Sequence, residues 1–253
     1  MKVLLREKLK KNKYALGCFC SIPAPSLVEN VSMAGLDFVV IDTEHGESNF
    51  ETVVNMARAA MARGVTPIVR VTSHDVKTIG RYLDNGLHGV QVPMVETKEQ
   101  AETIVRACRF APEGDRGLSA GRGSEWGRVP DYTNTANREI MCVCMCETAK
   151  GVENIEEIVS VPTLDVVFVG LGDLSQSMGL TGQMNDPRVI AAAEKVRDAC
   201  LKAGVVPGVV TSGAANAEEW IKRGFKYVTC FNDMALMAST VNNIVSTIHK
   251  DCQ

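Results

Sequence analysis

The sequence predicts an α/β fold of the (β/α)8 (TIM) barrel class, and three observations predict it. Eight short apolar runs alternate with helix-like patterns along the chain, and no composition shift marks a linker between them. Several of these runs end abruptly in polar or charged residues, as a buried parallel strand does when it delivers chemistry at its C-terminal end. The length of 253 residues suits eight β/α units in one domain over 1–253, and a hydrophobic share of 45% is ample for its core. The runner-up is an open doubly wound sheet, which would carry a glycine fingerprint after its first strand; none is present.

The elements follow in order. Residues 3–12 read as an amphipathic helix, and 14–20 as the first apolar strand. Pro23-Ala24-Pro25-Ser26 opens a helix to residue 34. The second strand lies in Gly35-Leu36-Asp37-Phe38-Val39-Val40-Ile41-Asp42-Thr43-Glu44-His45-Gly46. Residues 51–63 place Val53, Val54, Ala57 and Met61 on one helical stripe, closed by Gly64. Strand three is 66–71, followed by a helix over 76–85 that Gly86 stops. Strand four is 89–93, and Thr97 caps a helix to residue 109. The rhythm breaks at 111–130, a stretch rich in Gly and Arg that predicts a lid or an interface. A helix over 132–139 leads to strand five at 141–146, and 153–160 is helical. Strand six is 165–170, a helix opened by Pro187 and ended by Gly204 spans 187–203, strand seven is 205–210, strand eight 226–230, and a last helix runs over 233–250.

A net charge of −3 argues against nucleic-acid and membrane partners, and the apolar runs are too short to span a bilayer. The N-terminus lacks the apolar core of a signal peptide, so a cytoplasmic protein is expected. Nine cysteines, an odd count, read as free thiols. Cys142, Cys144 and Cys146 share one strand face, opposite Glu147, and are expected to pack under helices rather than bind metal. No phosphate-loop lysine follows the glycines of 111–130.

In a barrel, polar residues at strand C-termini share one mouth. Here these are Asp42, Glu44 and His45 after strand two, Arg70 on strand three, Glu147 after strand five, Asp173 after strand six, and Thr211 and Ser212 after strand seven. Two carboxylates past adjacent strands, Glu147 and Asp173, repel unless a cation lies between them, and oxygen donors select a hard divalent ion. The alternative is one carboxylate capping a helix and the other in a salt bridge. Arg70 either pairs with Asp42 or Glu44 or acts as an oxyanion clamp. His45 beside two acids suits proton transfer near neutrality. His74, His88 and His249 read as surface residues. No lysine ends a predicted strand, which argues against imine chemistry.

The motifs Ile41-Asp42-Thr43-Glu44-His45, Val69-Arg70-Val71, Leu83-Asp84-Asn85-Gly86, Val92-Pro93-Met94-Val95, Arg116-Gly117, Glu147-Thr148 and Gly170-Leu171-Gly172-Asp173-Leu174-Ser175 resemble those of the HpcH/HpaI aldolases. These are metal-dependent class II pyruvate aldolases of the phosphoenolpyruvate/pyruvate barrel superfamily. The resemblance implies a divalent ion (Mg²⁺, Mn²⁺ or Co²⁺) on Glu147 and Asp173, and an enolate-stabilising role for Arg70. It implies an acid/base role for His45, supported by Asp42 and by Asp84 acting across a subunit contact. The pyruvate carboxylate would sit at the turn of Gly172 and Asp173. It further implies a homo-oligomer, hexamer or trimer, with an exchanged C-terminal helix over 233–250. The expected reaction is reversible aldol cleavage of a 4-hydroxy-2-oxo acid to pyruvate and an aldehyde. Rivals are decarboxylation of oxaloacetate-like acids and non-catalytic keto-acid binding. One departure stands out: many members carry a substrate-contacting glutamine where this chain has Met145.

Overall fold

A computed structural model describes residues 4–11 and 13–251. Eight parallel strands close into a barrel in the order β1-β2-β3-β4-β5-β6-β7-β8. They are β1 (Ala15–Cys20), β2 (Phe38–Asp42), β3 (Thr66–Arg70), β4 (Gly89–Val92), β5 (Met141–Met145), β6 (Val166–Val169), β7 (Val206–Val210) and β8 (Tyr227–Asn232). Each lies within the run that predicts it or extends two residues past it, and the open-sheet alternative is excluded by pairing of β1 with β8.

The helices are α1 (Leu4–Lys10), α2 (Pro25–Ser32), α3 (Phe50–Ala62), α4 (Val76–Asp84), α5 (Lys98–Cys108), α6 (Tyr132–Glu139), α7 (Ala149–Glu153), α8 (Ile155–Ile158), α9 (Leu171–Ser177), α10 (Pro187–Ala203), α11 (Ala214–Lys222) and α12 (Asp233–Asp251). Thr97 caps α5 as expected, its hydroxyl accepting from Gln100 while the Gln100 side chain accepts from the Thr97 N–H. Residues 3 and 12, at the ends of the first predicted helix, lie outside the described residues. Three helices, α7, α9 and α11, are additional to the sequence reading. Alanine-rich α11 buries only Ala217 and Trp220, so its apolar stripe is thin.

Alternation on the strands sorts the core in two. Ala15, Phe38, Val40, Ile68, Met141, Val143, Met145, Val166, Phe168 and Tyr227 fill the barrel. Cys18, Cys20, Val39, Val69, Cys142, Cys144 and Cys146 face the helices instead. The eight described cysteines are free, and all but Cys230 are buried. Packing between sheet and helices is therefore what places the 142/144/146 series, as its strand spacing predicts.

Helix α1 plugs the N-terminal end of the barrel, with Leu5 and Leu9 in the inner core. Beside this plug Asp165 pairs with Arg6 (2.6 Å) and with the fully buried Arg109 (2.7 Å). Among the described residues no helix is long and apolar enough to cross a membrane.

The stretch 111–130 contains a short 3-10 turn, Arg122–Ser124. It packs on the C-terminal end of α4: Arg122 Nη1 donates to the Asn85 carbonyl, and Arg116 Nη2 donates to Asp84 at 2.9 Å. Helices run antiparallel to the strands here, so that end of α4 belongs to the N-terminal face. Within one chain the stretch is thus no lid over the barrel's own mouth.

Candidate active site

The C-terminal ends of β2 and β3 form a charge-paired wall. Arg70 ends β3 directly beside Asp42 in the β2–β3 register. Its Nε and Nη2 donate to Asp42 Oδ1 and Oδ2 at 2.8 and 2.7 Å, a two-toothed pair. Its Nη1 pairs with Glu44 at 2.9 Å, and the guanidinium lies over the Phe19 ring. Asp42 also accepts from Ser21 Oγ and from the backbone N–H groups of Glu44 and His45. Both structural pairings open to Arg70 are therefore made. A guanidinium has five N–H groups, and these bonds leave two without a stated partner.

These contacts set the charges. Burial works against the Asp42 carboxylate, but the Arg70 hydrogen bonds and charge hold its pKa below the ordinary value. Burial works against the Arg70 cation too, and Asp42, Glu44 and Glu147 together raise its pKa. Glu44 is pushed up by burial, against the pull of Arg70 and His45. The His45 ring is 66% exposed at the rim, with Nε2 3.9 Å from Glu44.

The opposite wall is unbalanced. Glu147 follows β5 and is buried; its Oε1 accepts the Met94 N–H at 2.8 Å. Its Oε2 is buried without a hydrogen-bond partner. Burial, with Asp173 and Glu44 nearby, drives its pKa up to about 7, although the Met94 N–H and Arg70 oppose this. Among the described residues Glu147 makes no salt bridge, and the α7 cap is Thr148, so neither branch of the structural alternative describes it. Asp173 is exposed in the first turn of α9. Gly170 supplies clearance, because a Cβ there would collide with Glu147 Oε2. No atom outside the local backbone lies within 4 Å of where a Cβ at Gly172 would stand, so the space beside Asp173 is open.

Met145 points into the barrel below Glu147 and is 2% exposed. Its Sδ accepts from Gln91 Nε2 at 3.5 Å, and Gln91 Oε1 in turn accepts from the Tyr227 hydroxyl. A glutamine amide thus lies in the barrel, but buried on β4 and bonded to the core.

The structure brings together Asp42, Glu44, His45, Arg70, Glu147 and Asp173. It does not bring Asp84 to them within one chain, for Asp84 ends α4 at the opposite face and pairs with Arg116. Two of the three histidines read as surface residues differ from that reading. His88 is half-buried, and desolvation drives its pKa down to about 4. His74 is partly buried, with Nε2 2.7 Å from the Pro93 carbonyl. The His74 contact links the loops after β3 and β4, and no local signal marks it. A cavity of about 1170 Å³, lined in part by His88, lies away from the mouth, between α4, α6 and the 3-10 turn.

A closed barrel whose mouth gathers four carboxylates, one arginine and one histidine defines an α/β-barrel protein with its ionisable groups collected where such barrels carry their chemistry. Residues 15–239 match the HpcH/HpaI aldolase/citrate lyase family, and the chain belongs to it. It is 36% identical to a pyruvate aldolase of Rhizobium etli, with 92% of each chain covered. It is 31% identical to a 5-keto-4-deoxy-D-glucarate aldolase of Klebsiella pneumoniae, over 97% of this chain and 96% of that one. A solved HpcH/HpaI aldolase/citrate lyase family protein of Burkholderia cenocepacia superposes with a TM-score of 0.91 at 29% identity, over 97% of this chain and 98% of that one.

Proposed function

We propose that this protein is a divalent-metal-dependent lyase that reversibly cleaves 4-hydroxy-2-oxo acids to pyruvate and an aldehyde. The observation that carries the reading is the buried, unpartnered Oε2 of Glu147 beside Asp173. Among the described residues no group of three or more His, Cys, Asp or Glu side chains could hold a metal ion. Two carboxylates with solvent or substrate oxygens as the other donors suit Mg²⁺, Mn²⁺ or Co²⁺. Glu147 and Asp173 would hold such an ion, which would supply Lewis acidity to the keto-acid end of the substrate. The names of the aldolase relatives support the same substrate class.

The chain's own residues supply the rest. Arg70, fixed by Asp42 and Glu44, turns its two uncommitted N–H groups to the oxygen that gains charge as the C3–C4 bond breaks. His45 takes the proton of the C4 hydroxyl during cleavage and returns it during condensation. Asp42 holds both, through the Arg70 pair and the His45 backbone N–H. The open space at Gly172 receives the pyruvate carboxylate beside Asp173. Met145 closes the floor and offers no hydrogen-bond donor to the keto oxygen.

We further propose a cytoplasmic homo-oligomer, hexamer or trimer. Free, mostly buried thiols suit a reducing compartment. Helix α12 exposes Met234, Leu236, Met237, Val241, Ile244, Val245 and Ile248, a stripe that exchange with another copy would cover. Asp84, on the opposite face of its own barrel, would then reach a neighbour's site.

The test is pyruvate release from a series of 4-hydroxy-2-oxo acids with Mg²⁺, Mn²⁺ or Co²⁺, beside oxaloacetate. Cleavage of hydroxy acids with matching aldehyde formation is expected. Dominant oxaloacetate turnover without aldehyde dependence would indicate a decarboxylase.

A further inference from the structure

We propose that His74 is a positioning residue that locks one peptide unit against Glu147 and thereby aims the metal-binding carboxylate oxygen. This rests on the reading of Glu147 as a metal ligand. The peptide is the one joining Pro93 to Met94, just past β4. Its carbonyl oxygen receives His74 Nε2 at 2.7 Å, and its N–H donates to Glu147 Oε1 at 2.8 Å. One rigid plane thus bridges the imidazole and the carboxylate. A carbonyl only accepts, so Nε2 carries the proton.

The need for such a lock follows from backbone strain. Met94 has φ of 55°, a left-handed conformation unusual for a side chain of this size. Rotating the Pro93–Met94 peptide by half a turn would carry that φ into the ordinary extended region. The same rotation would turn the N–H away from Glu147 and the carbonyl away from His74. Relief of strain therefore favours the wrong orientation, and the hydrogen bonds at the two ends of the peptide oppose it. The next residue is pinned separately, Val95 N–H donating to the Met145 carbonyl at 3.0 Å. Freedom is thus concentrated in the one peptide that His74 touches.

The consequence lies at Oε2. With Oε1 held by the Met94 N–H, Oε2 is left without a partner beside Gly170, where no Cβ intrudes. A flipped peptide would release Oε1, and the carboxylate could turn within the space beside Gly170. Hydrogen-bonded partners behind metal ligands typically contribute about tenfold or more to affinity.

Mn²⁺ affinity measured by electron paramagnetic resonance, without substrate, tests the proposal on the full-length protein. His74→Ala is expected to bind about tenfold more weakly than wild type. His74→Gln, whose amide can donate from a comparable position, is expected to stay within about threefold of wild type. Wild-type affinity in His74→Ala, or equal weakness in both variants, overturns the proposal. Glu147→Gln separates the two levels of inference. Loss of Mn²⁺ binding in Glu147→Gln with none in His74→Ala overturns the role of His74 alone. Wild-type protein that binds no Mn²⁺ overturns the metal reading and this inference with it. A measurement free of variants is the ¹⁵N spectrum of histidine-labelled wild type. Nε2 of His74 is expected to be protonated and to shift on adding Mg²⁺, and an unprotonated Nε2 would contradict the lock.

Discussion

Two buried arginine–aspartate pairs sit at opposite ends of this barrel, and their surroundings differ instructively. At the N-terminal end Asp165 meets two cations, Arg6 and Arg109, and Arg109 donates further to the carbonyls of Ile140 and Thr163. Cations outnumber acids there, and backbone carbonyls take up Arg109 donors beyond the pair, although Arg109 Nε stays buried without a partner. At the mouth Arg70 alone faces Asp42 and Glu44, with Glu147 and Asp173 in electrostatic reach of the same cluster. Acids outnumber cations, and one carboxylate oxygen is left with no partner. A carboxylate matched by two cations reads as structure. A deficit of positive charge in a buried site reads as a place for a cation from outside.

Substitutions at the two ends should separate these readings. The largest effect is expected at Glu147. Glu147→Gln removes the unpartnered anionic oxygen and should lower kcat/KM by about a thousandfold, while relieving repulsion and leaving Tm equal or higher. Comparing Arg70→Ala with Arg109→Ala comes next. Arg70→Ala should cost about a hundredfold in kcat/KM, since it removes oxyanion donors. Arg109→Ala should leave kcat/KM within about threefold yet lower stability by about 3 kcal/mol, because it opens a buried pair far from the mouth. Calorimetry with steady-state kinetics on both variants checks the contrast, and similar activity losses would collapse it.

A smaller effect concerns acid. The folded-state pKa of Asp42 lies below its ordinary value, so its contribution to stability is complete above about pH 4 and is lost as pH falls through the folded pKa. Asp42→Asn should therefore flatten the stability profile below about pH 4 relative to wild type. Denaturant midpoints measured from pH 2 to 6 would show it.

Much of this was legible in the sequence because the strands are buried on both faces. Runs such as Phe38–Ile41 and Val166–Val169 have no helical period and stop where polarity begins, so each strand and its functional end could be read together. The pairing of Arg70 with an acid was legible too, since a buried guanidinium on a strand demands one. Helix α9 was obscured by its glycines and its seven-residue length, and α11 by a stripe of only two buried residues. Asp84 could be placed on a helix, but its position at the far face depends on chain direction around the closed barrel. The contact of His74 with Pro93 was illegible for a related reason. It joins the loops after β3 and β4, and no spacing within either loop reports it.

The mouth is expected to generate a pyruvate enolate only with a divalent ion on the carboxylate wall. The most direct measurement is exchange of pyruvate methyl protons in D₂O, followed by NMR on chelator-stripped protein before and after adding Mn²⁺. Negligible exchange is expected without the ion and rapid exchange with it, in wild type but not in Glu147→Gln. Undiminished exchange in the stripped protein would contradict this expectation.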